Sequence, residues 1–163
     1  MLRQFLFVSL LLGFTVATAH AQSVEATVGH AAFLDEDPIE HSIFGGSVRF
    51  ALTPRLSVGP EIVYMIGPGH DRDMFVTGNL WFDLLGADGG SPRRVTPYLI
   101  AGGGLMRHRD EFFADFTANE GAVTGGIGVR IAVTDRWYVA PEARLGWEPH
   151  SRLAVTVGYR FRQ

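Results

Sequence analysis

The chain contains one β-hairpin written twice. Residues 45–61 read GGSVRFALTPRLSVGPE and residues 126–142, 81 positions later, read GIGVRIAVTDRWYVAPE; nine of the 17 aligned positions are identical. Each copy is an alternating run, a tight turn and a second alternating run, the pattern of strand–turn–strand. In each copy an Arg (Arg49, Arg130) precedes a Glu (Glu61, Glu142) by 12 residues. An even separation puts both charges on one face, because strand side chains alternate. The other face is apolar in both copies. The turn lies midway, so the spacing predicts Arg49 opposite Glu61 and Arg130 opposite Glu142. A sheet with one greasy and one charged face, repeated several strands apart, points to a closed barrel.

Around the two hairpins the pattern predicts eight strands, at about 23–33, 42–52, 56–66, 73–85, 95–106, 121–133, 137–148 and 152–161. Phe44, Gly46, Val48, Phe50 and Leu52 share a face opposite Ser47 and Arg49. Leu153, Val155, Val157, Tyr159 and Phe161 likewise oppose Arg152, Thr156 and Arg160. In the seventh strand Tyr138, Glu142 and Arg144 oppose an apolar row. Thr53-Pro54-Arg55 and Thr134-Asp135-Arg136 are tight connections, whereas residues 34–41, 67–72, 107–119 and 149–151 are more acidic. Pro60 and Pro141 fall inside strands. A closed barrel has no free edge to absorb a missing N–H, so each predicts a bulge or a local break in pairing.

The ends set the compartment. Met1–Gln4 carries one Arg, Phe5–Val16 is apolar, and Ala19-His20-Ala21 offers small residues at a cleavage position. This predicts a signal peptide over 1–21 and a mature domain over 22–163. There is no Cys, so no disulfide staples an exported fold. All 14 basic residues are Arg; the mature part has 13 of them against 17 acids. That balance excludes the basic footprint of a nucleic-acid binder. No later apolar run is long enough for a spanning helix, so a membrane would be crossed by strands.

A soluble barrel turns its apolar face inward and a membrane barrel turns it outward. The export signal and the aromatics near strand ends favour the membrane. Trp81, Phe82, Trp137, Tyr138, Tyr159 and Phe161 fall at one rim and Tyr64 and Trp147 at the other, as interfacial girdles would. Arg49, Glu61, Arg130, Glu142, Arg144 and Arg160 are then expected to face a narrow lumen as structural ion pairs. Buried charges there must be paired.

On these residues the chain resembles the small eight-stranded outer-membrane β-barrel family of OmpA/OmpX type. The resemblance is carried by Thr96-Pro97-Tyr98-Leu99-Ile100-Ala101-Gly102-Gly103-Gly104, by the Gly-rich Thr124–Arg130, by Thr134–Glu142, and by the closing Val155-Thr156-Val157-Gly158-Tyr159-Arg160-Phe161. It implies an all-β, antiparallel, up-and-down transmembrane barrel in the bacterial outer membrane. The closing strand resembles the family's signal to the barrel-assembly machinery, although Arg162 and Gln163 follow the late Phe161.

Catalytic and metal signals are weak. His41, His70, His108 and His150 fall near predicted outer loops with Asp35, Glu36, Asp37, Glu40, Asp71, Asp73, Asp110 and Glu111 close in sequence. No His pair has a strand ligand spacing, so a solvated acidic rim is expected, with no metal and no cofactor. His41-Ser42 and His150-Ser151 are adjacent, and adjacent strand side chains point to opposite faces. The expected function is therefore non-catalytic: a monomeric structural or surface-interaction barrel in contact with outer-membrane lipid and lipopolysaccharide. Phe112, Phe113 and Phe116 among acids form a candidate contact loop. The alternatives are a narrow or gated pore for small solutes, and a soluble periplasmic barrel binding an apolar ligand.

Overall fold

The computed structural model describes residues 21–33, 39–69, 71–86, 93–110, 116–147 and 150–161. Nearly all of the expected signal peptide, His70, and Phe112 and Phe113 of the candidate contact loop lie outside them, as does the side chain of Phe116. Eight strands form: β1 Ala21–Phe33, β2 Ile39–Ala51, β3 Leu56–Ile66, β4 Arg72–Asp83, β5 Val95–Asp110, β6 Phe116–Ala132, β7 Trp137–Gly146 and β8 His150–Arg160. Each pairs antiparallel with its sequence neighbour, and β1 pairs with β8 to close the barrel. Closure leaves no unpaired edge, which suits a sheet in lipid, where unsatisfied backbone groups are costly.

Alternation decides which residues line the lumen. Along β8, His150, Arg152, Ala154 and Thr156 are buried, while Leu153, Val155 and Val157 are exposed. The outer surface is apolar around the barrel: Val28, Leu105, Val123, Ile127, Leu145 and Leu153 are each 61–67% exposed. Charges sit inside and hydrocarbon outside. That order excludes the soluble apolar-ligand barrel and makes the fold a transmembrane one. Among the described residues no helix is long and apolar enough to cross a membrane.

The girdle expectation needs a correction. Phe82, Trp137 and Phe161 are exposed at the tight-turn rim, where Tyr159 lies 5.0 Å from the Trp137 ring and 5.6 Å from the Phe161 ring. Trp147 is 71% exposed at the other rim. Trp81 and Tyr138, however, are each only 1% exposed and point into the lumen. Tyr138 shares its parity with Glu142 and Arg144, so its strand position already set its direction.

The duplicated hairpins fold alike. Leu56 N donates to Thr53 Oγ1 at 2.9 Å, and Trp137 N donates to Thr134 Oγ1 at 2.9 Å. The threonine hydroxyl thus caps a donor that the tight connection leaves exposed. Thr53→Ala and Thr134→Ala should each lower stability by about 0.5–1.5 kcal/mol, and by similar amounts, in urea titrations of the refolded barrel. Clearly unequal losses would show that the two turns are not equivalent.

Both strand prolines interrupt pairing without shifting it. Ser47 pairs with Glu61 and Phe50 with Val58, and the positions between, opposite Gly59 and Pro60, are unpaired. Gly128 pairs with Glu142 and Ile131 with Val139, and the positions opposite Ala140 and Pro141 are unpaired in the same way. Register is the same on both sides of each gap, so the irregularity is a local break and not a bulge. On their other sides Pro60 and Pro141 pair with Gly78 and Val155 in unbroken ladders. Each missing N–H therefore opens one seam, once per hairpin.

Candidate functional site

The lumen is stacked in layers. Nearest the tight turns, Arg130 makes a two-pronged contact with Asp83, Nη1 to Oδ2 at 3.1 Å and Nη2 to Oδ1 at 3.2 Å. Arg160 is half-buried beside it, its guanidinium carbon 4.9 Å from the Tyr138 ring centre. These residues and Ser23, Arg49 and Ser57 bound a recess of about 50 Å³ at this rim.

Above it lies a ring of aromatic and charged groups. Arg49 Nη2 is 2.8 Å from Glu25 Oε1, and the guanidinium lies over Trp81, 4.4 Å from the ring centre. Ser47 Oγ donates to Glu25 Oε2 at 2.5 Å, and the Tyr138 hydroxyl donates to Glu25 Oε1. Tyr98 and Tyr138 pack against glycines on neighbouring strands. A Cβ on Gly128 would meet Tyr98 Cζ at 2.4 Å, and one on Gly158 would meet Tyr138 Cζ at 2.1 Å. Glycine thus makes room for the two rings, a recurring device of barrel walls.

The central layer is ionic. Arg144 reaches across the lumen from β7 to β3, donating from Nη1 to Glu61 Oε2 at 2.8 Å and from Nη2 to Glu61 Oε1 at 3.1 Å. The same guanidinium donates to Glu142 Oε2 from Nε at 2.9 Å and from Nη2 at 2.6 Å. Arg152 Nη2 donates to Glu61 Oε1 at 3.0 Å, Asn79 Nδ2 to Glu61 Oε2 at 2.8 Å, and the Tyr98 hydroxyl to Glu142 Oε1 at 2.5 Å. Glu61, Glu142, Arg144 and Arg152 are all at most 5% exposed. Thr27 and Thr156 share a hydrogen bond of 2.8 Å across the β1–β8 pair.

Towards the loops the lumen becomes apolar. Ala31, Ile43, Val63, Met65, Phe75, Met106, Ala122 and Ala154 form one buried cluster, with Phe33 packed against it. Above that plug sit His41, Asp73 and His150, all at most 2% exposed, with Asp71 and His108 beside them. A solvated acidic rim does not describe this group. His41 and Asp73 are buried, and β2, β4 and β5 bring together residues that are far apart in sequence.

Within-hairpin pairing is the main correction. Arg49 lies in the unpaired stretch opposite Gly59 and Pro60, and takes Glu25 of β1 instead of Glu61. Arg130 takes Asp83 of β4 instead of Glu142. Each Glu is two residues further towards the loops than the position facing its Arg. In each hairpin the Arg therefore joins a lower layer and the Glu the central one. The turn-centred estimate missed this offset because it assumed symmetric strands about the turn. Glu25, Asn79 and Tyr98 were missed as members. Glu25 alternates with Ser23 and Thr27, which was the available signal.

No protein-family model matches the chain, and no curated protein does. Solved structures do. Neisserial surface protein A superposes with a TM-score of 0.75 at 17% identity, covering 89% of this chain and 100% of that one. The fold is that of the small eight-stranded outer-membrane barrels. The N-terminal β-barrel domain of Pseudomonas aeruginosa OprF gives a TM-score of 0.64 at 15% identity, covering 87% of this chain and 100% of that one. The outer membrane enzyme PagL gives 0.53 at 13% identity, covering 85% of this chain and 99% of that one. The barrel thus carries both a surface protein and an enzyme, so architecture alone does not select a role.

Proposed function

We propose that this chain is a bacterial outer-membrane protein, exported by residues 1–21, whose barrel is a non-conducting and non-catalytic support for a surface-exposed loop rim. One observation carries this reading: the described lumen is filled in series by an ionic network and then by an apolar plug. Hydrated solutes would have to displace Arg144 from two carboxylates and then cross Ile43, Met65 and Phe75. An eight-stranded barrel is only wide enough for side chains to fill.

A non-catalytic role is supported by the surroundings of the His41 imidazole. Ser- or Thr-based nucleophilic catalysis needs the hydroxyl within reach of its base. His41 Nδ1 faces the Ile39 carbonyl at 3.2 Å and Nε2 faces Asp71 Oδ2 at 2.8 Å, so neither nitrogen is paired with a hydroxyl. Ser42 points to the outer face, away from His41. The outward apolar belt supports contact with lipid, and the closing strand supports handling by the assembly machinery.

Planar-bilayer recording tests the reading on protein shown to be folded by its altered gel mobility before boiling. No steady conductance is expected. Steady channels whose size changes in Glu61→Ala or Glu142→Ala would replace it with the narrow-pore reading.

A further inference from the structure

We propose that His41, Asp71 and Asp73 form a binding site for one zinc-like divalent cation at the loop rim of the barrel. His41 Nε2 lies 2.8 Å from Asp71 Oδ2 and 3.5 Å from Asp73 Oδ2, and donor atoms of the three residues all fall within 4.8 Å of one another. Ligands held about 2.0–2.2 Å from a tetrahedral ion are about 3.3 Å apart, so sub-ångström movements would convert these contacts into a coordination shell.

Three further observations point to an ion and not merely to hydrogen bonds. His41 is 1% exposed, and its Nδ1 faces the Ile39 carbonyl. Metal-binding imidazoles usually donate their far N–H to such an acceptor, which aims the other nitrogen at the metal. Asp71 Oδ1 accepts no hydrogen bond, its nearest charged neighbour being His108 Nδ1 at 3.7 Å, and it lies beside the buried Asp73 carboxylate. Gly67 leaves the space: a Cβ there would lie 2.5 Å from His41 Nε2 and 2.8 Å from Asp71 Oδ2. His108 Nδ1 is 2.5 Å from Asp73 Oδ1 on the far side of that carboxylate and orients it.

The donor chemistry selects the ion. One imidazole and two carboxylates suit zinc, cobalt or a similar transition ion, whereas calcium requires six to eight oxygens. Three protein ligands leave a fourth position for water or an external group. The imidazole comes from β2 and the carboxylates from the start of β4 and the turn before it, so a bound ion would tie the β2 end to the β4 end.

The test is titration of the refolded, untagged barrel in detergent with Zn²⁺ by calorimetry and with Co²⁺ by visible absorption. One ion per chain is expected, with the intense bands of four-coordinate cobalt and no displacement by millimolar Ca²⁺ or Mg²⁺. His41→Ala and Asp73→Asn should abolish saturable uptake. His108→Gln, at a partly exposed position, should weaken it about 10–100-fold while leaving the stoichiometry unchanged. Gel mobility before and after boiling establishes that each variant is folded. The proposal is overturned if folded wild type takes up neither ion saturably. It is also overturned if uptake is the same in folded His108→Gln and Asp73→Asn as in wild type, which would mark adventitious binding to other histidines.

Discussion

Glu61→Ala should be the most destabilising single change in the lumen, costing about 3–5 kcal/mol, the range for removing one partner of a buried ion pair. Glu61 accepts hydrogen bonds from Arg144, Arg152 and Asn79, and it is 3% exposed. Without it, Arg152 keeps no acidic hydrogen-bond partner among the described residues. Arg144 retains only Glu142, and two guanidinium charges share a narrow dry space. Urea unfolding in lipid vesicles provides the measurement, followed through tryptophan emission, to which the buried Trp81 contributes. Replacing Glu61 and Arg144 together by Met should recover part of the loss, because the remaining Arg152 and Glu142 charges then offset each other. A loss below about 1 kcal/mol for Glu61→Ala would mean that water enters the lumen and solvates each charge separately, as at exposed pairs.

Ile127→Arg is expected to cost about 2–4 kcal/mol in a bilayer, the range for a basic residue at the lipid-facing midplane of a barrel. Ile127 is 61% exposed, yet its cross-strand neighbours are Leu99 and Ala143, themselves on the outer face. On a soluble protein a charge at such an exposed position would be almost neutral, and the prediction turns on that difference. The comparison variant is Thr134→Arg in the exposed tight turn, which loses the cap hydrogen bond but keeps its charge in water. Equal unfolding energies for the two variants in vesicles would show that the Ile127 face does not meet hydrocarbon.

Much of the fold was legible because strand periodicity reports sidedness wherever the two faces differ chemically. Around Arg49, Glu61, Arg130 and Glu142 one face is charged and the other apolar, and the strand positions follow directly. In the loop-side half of the barrel the signal fades. Ile43, Val63, Met65 and Phe75 occupy the lumen-facing parity but are as apolar as their lipid-facing neighbours. A run that is greasy on both faces has no period, so the plug could not be read from the sequence. Individual contacts were less legible still. Arg144 joins Glu61 across the lumen, and that bond depends on barrel diameter and stagger, which local spacing does not encode. The His41–Asp71–Asp73 group was hidden for the same reason. Its ligands are not spaced as a motif along one strand, because the end of β2, the start of β4 and the turn before β4 assemble them.

The cross-lumen bond also sets a condition on how the wall can close. Glu61 on β3 finds its guanidinium partners on β7 and β8, and Glu25 on β1 takes its tyrosine partner from β7. An open sheet holding only the first half of the chain would carry Glu61 without its guanidinium partners and Glu25, though paired with Arg49, without its tyrosine donor. Facing water, those groups are content; facing a dry interior, they are not. Dehydrating the lumen is therefore favourable only once the last two strands are in place, so that sealing the seam between β1 and β8 and drying the interior become a single cooperative event.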